Sequence, residues 1–205
     1  MQLNLRFDRE HCIPVDFPAH SATDRSEWAR ATAADFVART GLAPEATGPI
    51  AAALDDVARI ASDDSRSLVI VGIDGRVIAP LTVFAVDGAL SEADQAAFLW
   101  SPSAQLPATT EVIETDNFGI GISTTLLERH GDRDFGFERW LFFGEDATVA
   151  AILGPVAPYG LAFVEEAAKA VLRQSTLEGF VASSDRVRVD ALDRAVVRFG
   201  EEWPA

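Results

Sequence analysis

The feature that most constrains the fold is a pair of apolar segments joined by a turn signal. Residues 67–88 read SLVIVGIDGRVIAPLTVFAVDG, and both halves are rich in the β-branched residues that favour strands. Asp74-Gly75 lies between them and is a residue pair that favours a tight hairpin turn. The sequence therefore predicts two neighbouring antiparallel strands. Pro80 cannot donate a ladder hydrogen bond, so we expect the second strand at a sheet edge or at a bulge.

Further strand patterns follow this hairpin along the chain. A helix pattern runs from about Ser91 to Trp100, and four apolar or alternating segments come after a loop. They read TEVIET, NFGIGISTTLLE, DFGFERWLFFGED and TVAAILG. The opening segment, MQLNLRFDRE, also alternates apolar and polar residues and predicts a first strand. Strands that follow one another closely indicate a mainly antiparallel sheet.

Amphipathic helix patterns stand on both sides of the strands. The first opens with Asp24 three residues before Glu27, a spacing typical of a capping box, and ends at Gly41. A second helix pattern follows Pro49. The fold class predicted is α+β, a mainly antiparallel sheet covered by helices, with these two as extra N-terminal helices.

The last part of the chain carries two more helix patterns. One begins near Leu161 and closes the strand region. We expect a single α+β domain over residues 1–175. Residues 176–205 are predicted to be a C-terminal appendage, a helical tail, because Val196 and Phe199 recur there at helical spacing with Leu192. This tail either docks on its own core or reaches a partner.

Charge and cysteine content disfavour several classes of partner. Acidic residues outnumber basic ones by 32 to 17, which gives a formal net charge of −15. Such a field repels phosphates, so we expect neither nucleic acid nor a membrane surface as a partner. The single cysteine, Cys12, rules out an internal disulfide and fits a reducing compartment. We expect a cytoplasmic protein, and the composition, rich in alanine and arginine, is similar to that of proteins from high-GC bacteria.

The stretch NFGIGIST, residues 117–124, looks like the start of a glycine-rich phosphate loop. A dinucleotide fingerprint needs a third glycine and a following helix, whereas Thr124 takes the third position and TTLLE continues as an extended segment. Alternation with period two predicts a strand instead. One face would carry Phe118, Ile120, Ile122, Thr124 and Leu126, and the other Gly119, Gly121, Ser123, Thr125 and Leu127.

Glycine inside a strand often marks the close approach of another group. Trp140 and Phe142, which alternate together in FERWLFFG, are the side chains that we expect to pack there. The alternative is a small ligand in a shallow groove on this strand face. Its candidate binding residues are Gly119, Gly121, Ser123 and Trp140.

No residue pattern predicts a catalytic or metal centre. His11 and Cys12 are adjacent, so in an extended segment their side chains point to opposite faces and form a poor nucleophile pair. The G-x-S-x-G elbow of serine hydrolases does not occur. Asp132 and Asp134 follow a glycine but lack the rest of a calcium loop, and we expect them to form a turn. We therefore expect no catalytic residue, metal or cofactor.

Three aromatic residues are candidates for contact with a partner. Tyr159, the only tyrosine, lies in the loop GPVAPYG, Trp100 precedes Ser-Pro, and Trp203 lies in the terminal EEWPA. Rigid loops that carry an aromatic tip make good contact points. The alternative is that the prolines only fix the shape of a connector and Tyr159 packs on the last helix.

The order of elements over about residues 66–175 is a hairpin, a helix, three or four antiparallel strands and a closing helix. The closing part reads TVAAILGPVAPYGLAFVEEAAKAVLRQ. This arrangement resembles the PsbP-like α/β/α sandwich superfamily, which includes the photosystem oxygen-evolving subunit and bacterial lipoprotein relatives. The resemblance implies a binding or assembly module rather than an enzyme. The chain departs from that pattern in its two N-terminal helices, its C-terminal tail and the lack of a lipoprotein signal.

Two functional hypotheses follow from these observations. The first is a non-enzymatic protein-binding or assembly module, whose partner is another protein or a second copy of the chain. The second is a small-ligand carrier, or a divergent enzyme, that uses a groove on the strand face of Gly119 and Gly121.

Overall fold

A computed structural model describes residues 2–16, 21–62, 64–72 and 74–201, with side chains described as far as residue 196. The helices in these residues are α1 (Ala22–Thr40), α2 (Thr47–Ile60), α3 (Glu92–Leu99), α4 (Leu161–Gln174) and α5 (Arg186–Glu201). The strands are β1 (Leu3–Asn4), β2 (Cys12–Pro14), β3 (Ser65–Val71), β4 (Ile78–Asp87), β5 (Thr109–Thr115), β6 (Gly119–His130), β7 (Arg133–Phe143), β8 (Ala147–Val156) and β9 (Thr176–Leu177).

Seven strands form one antiparallel sheet in the order β2-β3-β4-β8-β7-β6-β5. β1 pairs with β9 in a separate two-stranded sheet. The prediction of an α+β fold with a mainly antiparallel sheet covered by helices is confirmed. β2 and β5 are the edges of the large sheet, and the functional argument below depends on the β5 edge.

The hairpin predicted from residues 67–88 is formed by β3 and β4. Its turn uses Gly75 at φ +70°, and the backbone N–H of Arg76 donates to Asp74 Oδ1 at 3.0 Å. The expected edge position of the second strand was wrong, because β4 lies between β3 and β8. Pro80 pairs with Val69 of β3, and the ladder to β8 begins one residue later, so β4 has a neighbour on only one side at the proline.

The first helix begins earlier than the sequence pattern predicts. Ser21 is its N-cap, and the Ser21 hydroxyl accepts from Asp24 N at 3.1 Å while Asp24 Oδ2 accepts from Ser21 N. The capping box is therefore Ser21 with Asp24, not Asp24 with Glu27. The predicted end is correct, since Gly41 adopts a left-handed conformation with φ 71°.

Helices cover both faces of the large sheet, which explains why β3 reads as a continuous apolar run. Leu68 and Ile70 pack with α4, whereas Val69 and Val71 pack with α1 and α2. β4 contacts two different apolar clusters. Ile78, at its start, packs with the cluster of α1 and α2, and Phe84, near its end, packs with a third cluster under α3 and α5. The protein is thus layered as helix, sheet and helix.

Residues 176–196 pack against the rest of the molecule. Leu177 of β9 joins the apolar cluster beneath α4. Val189, Leu192 and Val196 of α5 are buried in the third cluster, together with Leu141 of β7. α5 therefore covers the sheet on the side opposite α4.

Candidate functional site

The strand face that carries Gly121 and Ser123 is the one for which a ligand groove is hypothesised. β6 pairs with β7 in a register that places Gly121 opposite Phe142 and Ser123 opposite Trp140. Both aromatic residues belong to the apolar cluster that also contains Val164 of α4. This face therefore points toward α4, in the middle of the layered fold.

Other parts of the chain occupy the space directly over the two glycines. A Cβ atom at Gly121 would lie 2.5 Å from the backbone oxygen of Leu141 and 2.7 Å from Phe142 Cδ1. Gly119 has φ +67°, and a Cβ atom there would lie 2.7 Å from the Cβ of Ala182. Phe142 thus packs where the sequence pattern predicts, and room for a ligand on this face lies beside the glycines.

One residue of the predicted strand pattern lies on the opposite face. Phe118 packs on the α4 side, with its ring centroid 5.4 Å from that of Phe142. Ile122 and Leu126, by contrast, belong to the cluster under α3 and α5. β6 begins at Gly119 with a left-handed backbone, so the period-two pattern does not extend back to Phe118.

A cavity of about 200 Å³ opens between the edge strand β5 and the second half of α4. Its lining comprises Glu111, Val112, Ile113, Glu114 and Thr115 of β5, Trp140 of β7, and Lys169, Leu172 and Arg173 of α4. Trp140, one of the candidate ligand-binding residues, is therefore in its wall. The cavity lies on the same face of the sheet as Gly121 and Ser123, but the other three candidates, Gly119, Gly121 and Ser123, are not among its lining residues.

Three consecutive residues of β7, Glu138, Arg139 and Trp140, each have a buried polar side-chain atom without a hydrogen-bond partner. Trp140 is 0% exposed and its indole Nε1 has no partner, and Glu138 is 1% exposed and its Oε2 has none. Glu138 and Trp140 are two residues apart in β7. The pairing of β7 with β8 is irregular just before them, between Gly136 and Glu138. A buried donor or acceptor without a partner costs free energy, so each atom can bind a polar group of a ligand or water.

Lys169 connects the buried carboxylate to the protein surface. Its Nζ donates to Glu165 Oε1 at 2.6 Å and to Glu111 Oε2 at 3.1 Å, and it lies 3.8 Å from Glu138 Oε1. The lysine thus joins α4 to both β5 and β7. Arg173, one turn further along α4, lies 3.8 Å from Glu166 at the rim.

The proton affinities of this cluster follow from its burial and charges. Burial first, and then the charge of Glu165, raise the pKa of Glu138 to about 8, although Lys169 acts in the opposite direction. Burial acts to lower the pKa of Lys169, but its hydrogen bonds to Glu165 and Glu111 outweigh this effect and raise it. At neutral pH the carboxyl group is therefore largely protonated and the amine stays charged.

This arrangement is suited to binding rather than covalent chemistry. A nucleophilic lysine needs a lowered pKa, whereas that of Lys169 is raised. Cys12 is buried, and burial together with the charge of Asp8 raises its pKa to about 12, so its thiol is not ionised at neutral pH. Neither residue has the properties of an activated nucleophile.

The aromatic candidates for partner contact have different environments. Tyr159 is 77% exposed, and Phe163, which sequence analysis missed, is 69% exposed on the first turn of α4. Trp100 is half-buried, and its backbone oxygen accepts from Arg139 Nη1 at 3.4 Å. Trp203 lies outside the described residues.

Of the two acidic residues expected to form a turn, Asp132 lies in the turn between β6 and β7, whereas Asp134 is the second residue of β7 and so lies outside the turn. Asp134 forms an ion pair with Arg129 at 2.8 Å, beside the turn in which Gly131 has φ +65°. Within residues 2–16, 21–62, 64–72 and 74–201, no group of three or more His, Cys, Asp and Glu side chains is placed to hold a metal ion. In the same part of the chain, no helix is both long and apolar enough to cross a membrane.

Comparison with known proteins adds no relative. No family model matches the chain, and a search of curated proteins gives no significant match.

Sequence analysis did not find Lys169, although one signal was present. The chain has 17 basic residues, and reading them off the sequence shows that Lys169 is the only lysine. All the other residues in this count are arginines. Its position in EEAAKAV, four residues after Glu165, also predicts an i,i+4 ion pair. The partners Glu111 and Glu138 are far away in sequence, and only the fold brings them to the lysine.

Proposed function

We propose that the protein is a non-enzymatic binding module of the cytoplasm, whose partner is another protein that docks on Tyr159 and Phe163. We call these two residues the aromatic patch. The single observation that carries this proposal is the exposure of two large aromatic side chains, 77% and 69%, four residues apart in the chain. Exposed aromatic residues on a rigid base are common anchors of protein interfaces.

The base of the aromatic patch is well held. Pro158 begins a short 3-10 helix that leads directly into α4, and Gly160 is buried where a Cβ would lie 3.0 Å from Val77. Phe163 lies beside Gly72 next to the β3–β4 hairpin, since a Cβ on that glycine would be 3.9 Å from Phe163 Cβ. The patch thus needs little ordering on binding, which favours affinity.

Three further observations support this proposal. The high pKa of Cys12 and the charged state of Lys169 argue against covalent catalysis. The net charge of −15 disfavours nucleic acid. The order of elements in the sequence resembles the PsbP-like superfamily, and that resemblance implies binding or assembly.

The test is a pull-down with the full-length chain from a lysate of the organism that encodes it. The double variant Tyr159→Ser/Phe163→Ser is compared with Ile60→Ser and Val187→Ser, which remove apolar side chains of similar exposure elsewhere. We expect a stoichiometric partner to be lost from the double variant alone, with thermal stability unchanged. Sedimentation velocity covers the case in which the partner is a second copy. Retention of every partner and of the oligomeric state by the double variant would refute the proposal.

A second candidate function is favoured by a separate observation. Trp140 lines the cavity between β5 and α4, and its Nε1 is buried without a hydrogen-bond partner. A small molecule could bind there, as the hypothesis of a ligand carrier requires. The two functions use different surfaces and can be tested separately.

A further inference from the structure

We infer that the outer edge of β5 is a docking site for an extended, basic segment of another protein, which adds a further strand to the large sheet. The edge is a second docking site, separate from the aromatic patch, and neither site requires the other. Three features carry this inference: a strand edge without hydrogen-bond partners, a cavity that runs along it, and the carboxylates of residues 109–117.

The backbone of β5 is open on its outer side. β5 is an edge strand, and its pairing with β6 is regular over all seven of its residues. Alternate residues of an antiparallel strand direct their N–H and C=O groups to opposite sides, so about half of these groups face away from β6. Among the described residues, hydrogen bonds from the backbone of β5 go only to β6. Neither a proline nor a bulge protects this edge from pairing.

The cavity of about 200 Å³ follows this edge. Glu111 to Thr115 all line it, although successive side chains of a strand point to opposite faces. The cavity therefore runs along the backbone of β5 and is not confined to one face. Trp140 and Leu172 give it buried apolar walls, and an apolar cavity of about 150 Å³ accommodates benzene. The cavity is thus large enough for one branched apolar side chain of an added strand.

The charges along the edge favour a basic partner. The lining of the cavity contains two carboxylates and two cations, so the cavity itself has no excess charge. Residues 109–117, by contrast, carry Glu111, Glu114 and Asp116 and no basic residue. Glu111 is paired with Lys169, whereas Glu114 and Asp116 are exposed and form no ion pair within the described part of the chain. A lysine or arginine opposite Glu114 would make a favourable cross-strand pair.

The same charges disfavour a second copy of the chain as the added strand. Pairing of β5 with another β5 would bring the carboxylates of both strands to one edge and no cation with them. Each chain also has a formal net charge of −15, which opposes association of two copies. An extended segment with basic residues lacks both of these costs.

The register of β5 defines the residues that such a segment needs. Ile113 pairs with Gly121 and packs with the apolar cluster beneath α4. An apolar residue opposite Ile113 would point to the same face and enter the cavity. Glu114, the next residue, points to the other face, so a basic residue opposite it stays in solvent. The ligand is therefore a strand in which a basic residue stands next to a branched apolar one.

The test is NMR titration of the full ¹⁵N-labelled chain with the capped peptide acetyl-Thr-Lys-Leu-Val-Thr-Lys-Thr-amide. We expect shifts and slower hydrogen exchange of β5 amides, and no binding at the same concentration of a peptide with glutamate in place of both lysines. Alanine in place of the leucine should weaken binding by about tenfold or more. N-methylation of alternate peptide residues should abolish binding in one of the two possible phases and not in the other, because only one set of N–H groups faces β5.

The variants separate this site from other surfaces. Glu114→Lys should weaken binding of the lysine peptide by about tenfold and strengthen that of the glutamate peptide. Glu45→Lys, an exposed position just before α2, should change neither. The double variant Tyr159→Ser/Phe163→Ser should bind the peptide as the wild type does, so the failure of one proposal can be told from the failure of the other.

Four outcomes would overturn the inference. They are no shift of β5 amides at several millimolar peptide, equal binding of the lysine and glutamate peptides, binding that survives N-methylation in both phases, and a free chain that is already a dimer with protected β5 amides. The third would show adhesion by charge without strand pairing. The fourth, seen by sedimentation velocity and hydrogen exchange, would show that a second copy occupies the edge.

Discussion

At the scale of single residues, Gly121 is the described glycine at which an added Cβ would make the shortest contact. A Cβ there would lie 2.5 Å from a backbone oxygen of β7, which cannot move without disturbing the sheet. We predict that Gly121→Ala lowers the free energy of unfolding by about 1–3 kcal/mol in urea denaturation. Gly48→Ala is the matched control, because nothing lies within 4 Å of its new methyl group. Equal stability of the two variants would contradict the packing described here.

Glu138 should make stability depend on pH in the sense opposite to that of a carboxylate whose pKa is lowered on folding. Its pKa is about 8 in the folded protein against 4.5 in the unfolded chain, so the folded state binds more protons between these values. The free energy of unfolding therefore falls as pH rises through this window. We predict that the wild type loses about 2 kcal/mol more than Glu138→Gln between about pH 6 and pH 9 in urea unfolding. A parallel pH dependence of both proteins would show that Glu138 ionises normally.

At the scale of elements, the C-terminal end of α3 is hydrogen-bonded to the sheet by Arg139 and Thr124. Arg139 Nη1 donates to the backbone oxygen of Phe98 at 2.8 Å, and its Nη2 pairs with the buried carboxylate of Glu128. Thr124 Oγ1 adds a hydrogen bond to Leu99 O at 2.8 Å. These groups satisfy the last carbonyls of the helix, which an unattached helix end would leave without partners.

Removal of this arginine should therefore cost more than removal of the ion pair as a whole. We predict that Arg139→Gln destabilises by about 3 kcal/mol, because Glu128 is left buried with its charge poorly compensated. The double variant Glu128→Gln/Arg139→Gln should recover part of this loss, with a coupling energy of about 1–3 kcal/mol in a double-mutant cycle of urea midpoints. Additive effects would mean that the two side chains act independently. Hydrogen exchange in α3 should increase in the single variant.

The sequence predicts where helices and strands lie along the chain better than it predicts which strands lie next to each other in the sheet. Alternating and β-branched runs locate the strands, and Gly41 locates the end of α1, because these signals are local. Strand order is set by contacts between distant segments. Pro80 therefore predicts an edge position or a bulge for β4, although β4 is an inner strand. The site follows the same rule. Trp140 and the glycine face could be predicted from alternation, whereas the approach of Lys169 to Glu111 and Glu138 depends on where α4 crosses the sheet.

At the scale of the whole molecule, the C-terminal helix α5 packs on the core of the sheet. α5 buries Val189, Leu192 and Val196 against the face of the sheet opposite the candidate cavity. It also approaches β5, since the Thr110 hydroxyl donates to Asp193. β5 therefore lies between α5 on one side and the cavity on the other, so loss of α5 should loosen the cavity wall as well as the core.

Two valines of α5 allow this arrangement to be tested. Val189 is fully buried, whereas Val187, two residues earlier on the same helix, is 77% exposed. We predict that Val189→Asp lowers the free energy of unfolding by about 3 kcal/mol or more, because a charge is buried without a partner. Val187→Asp should change it by less than about 0.5 kcal/mol. Urea midpoints give both values, and hydrogen exchange in β5 should increase only in Val189→Asp. If both variants were as stable as the wild type, α5 would not be docked on the sheet.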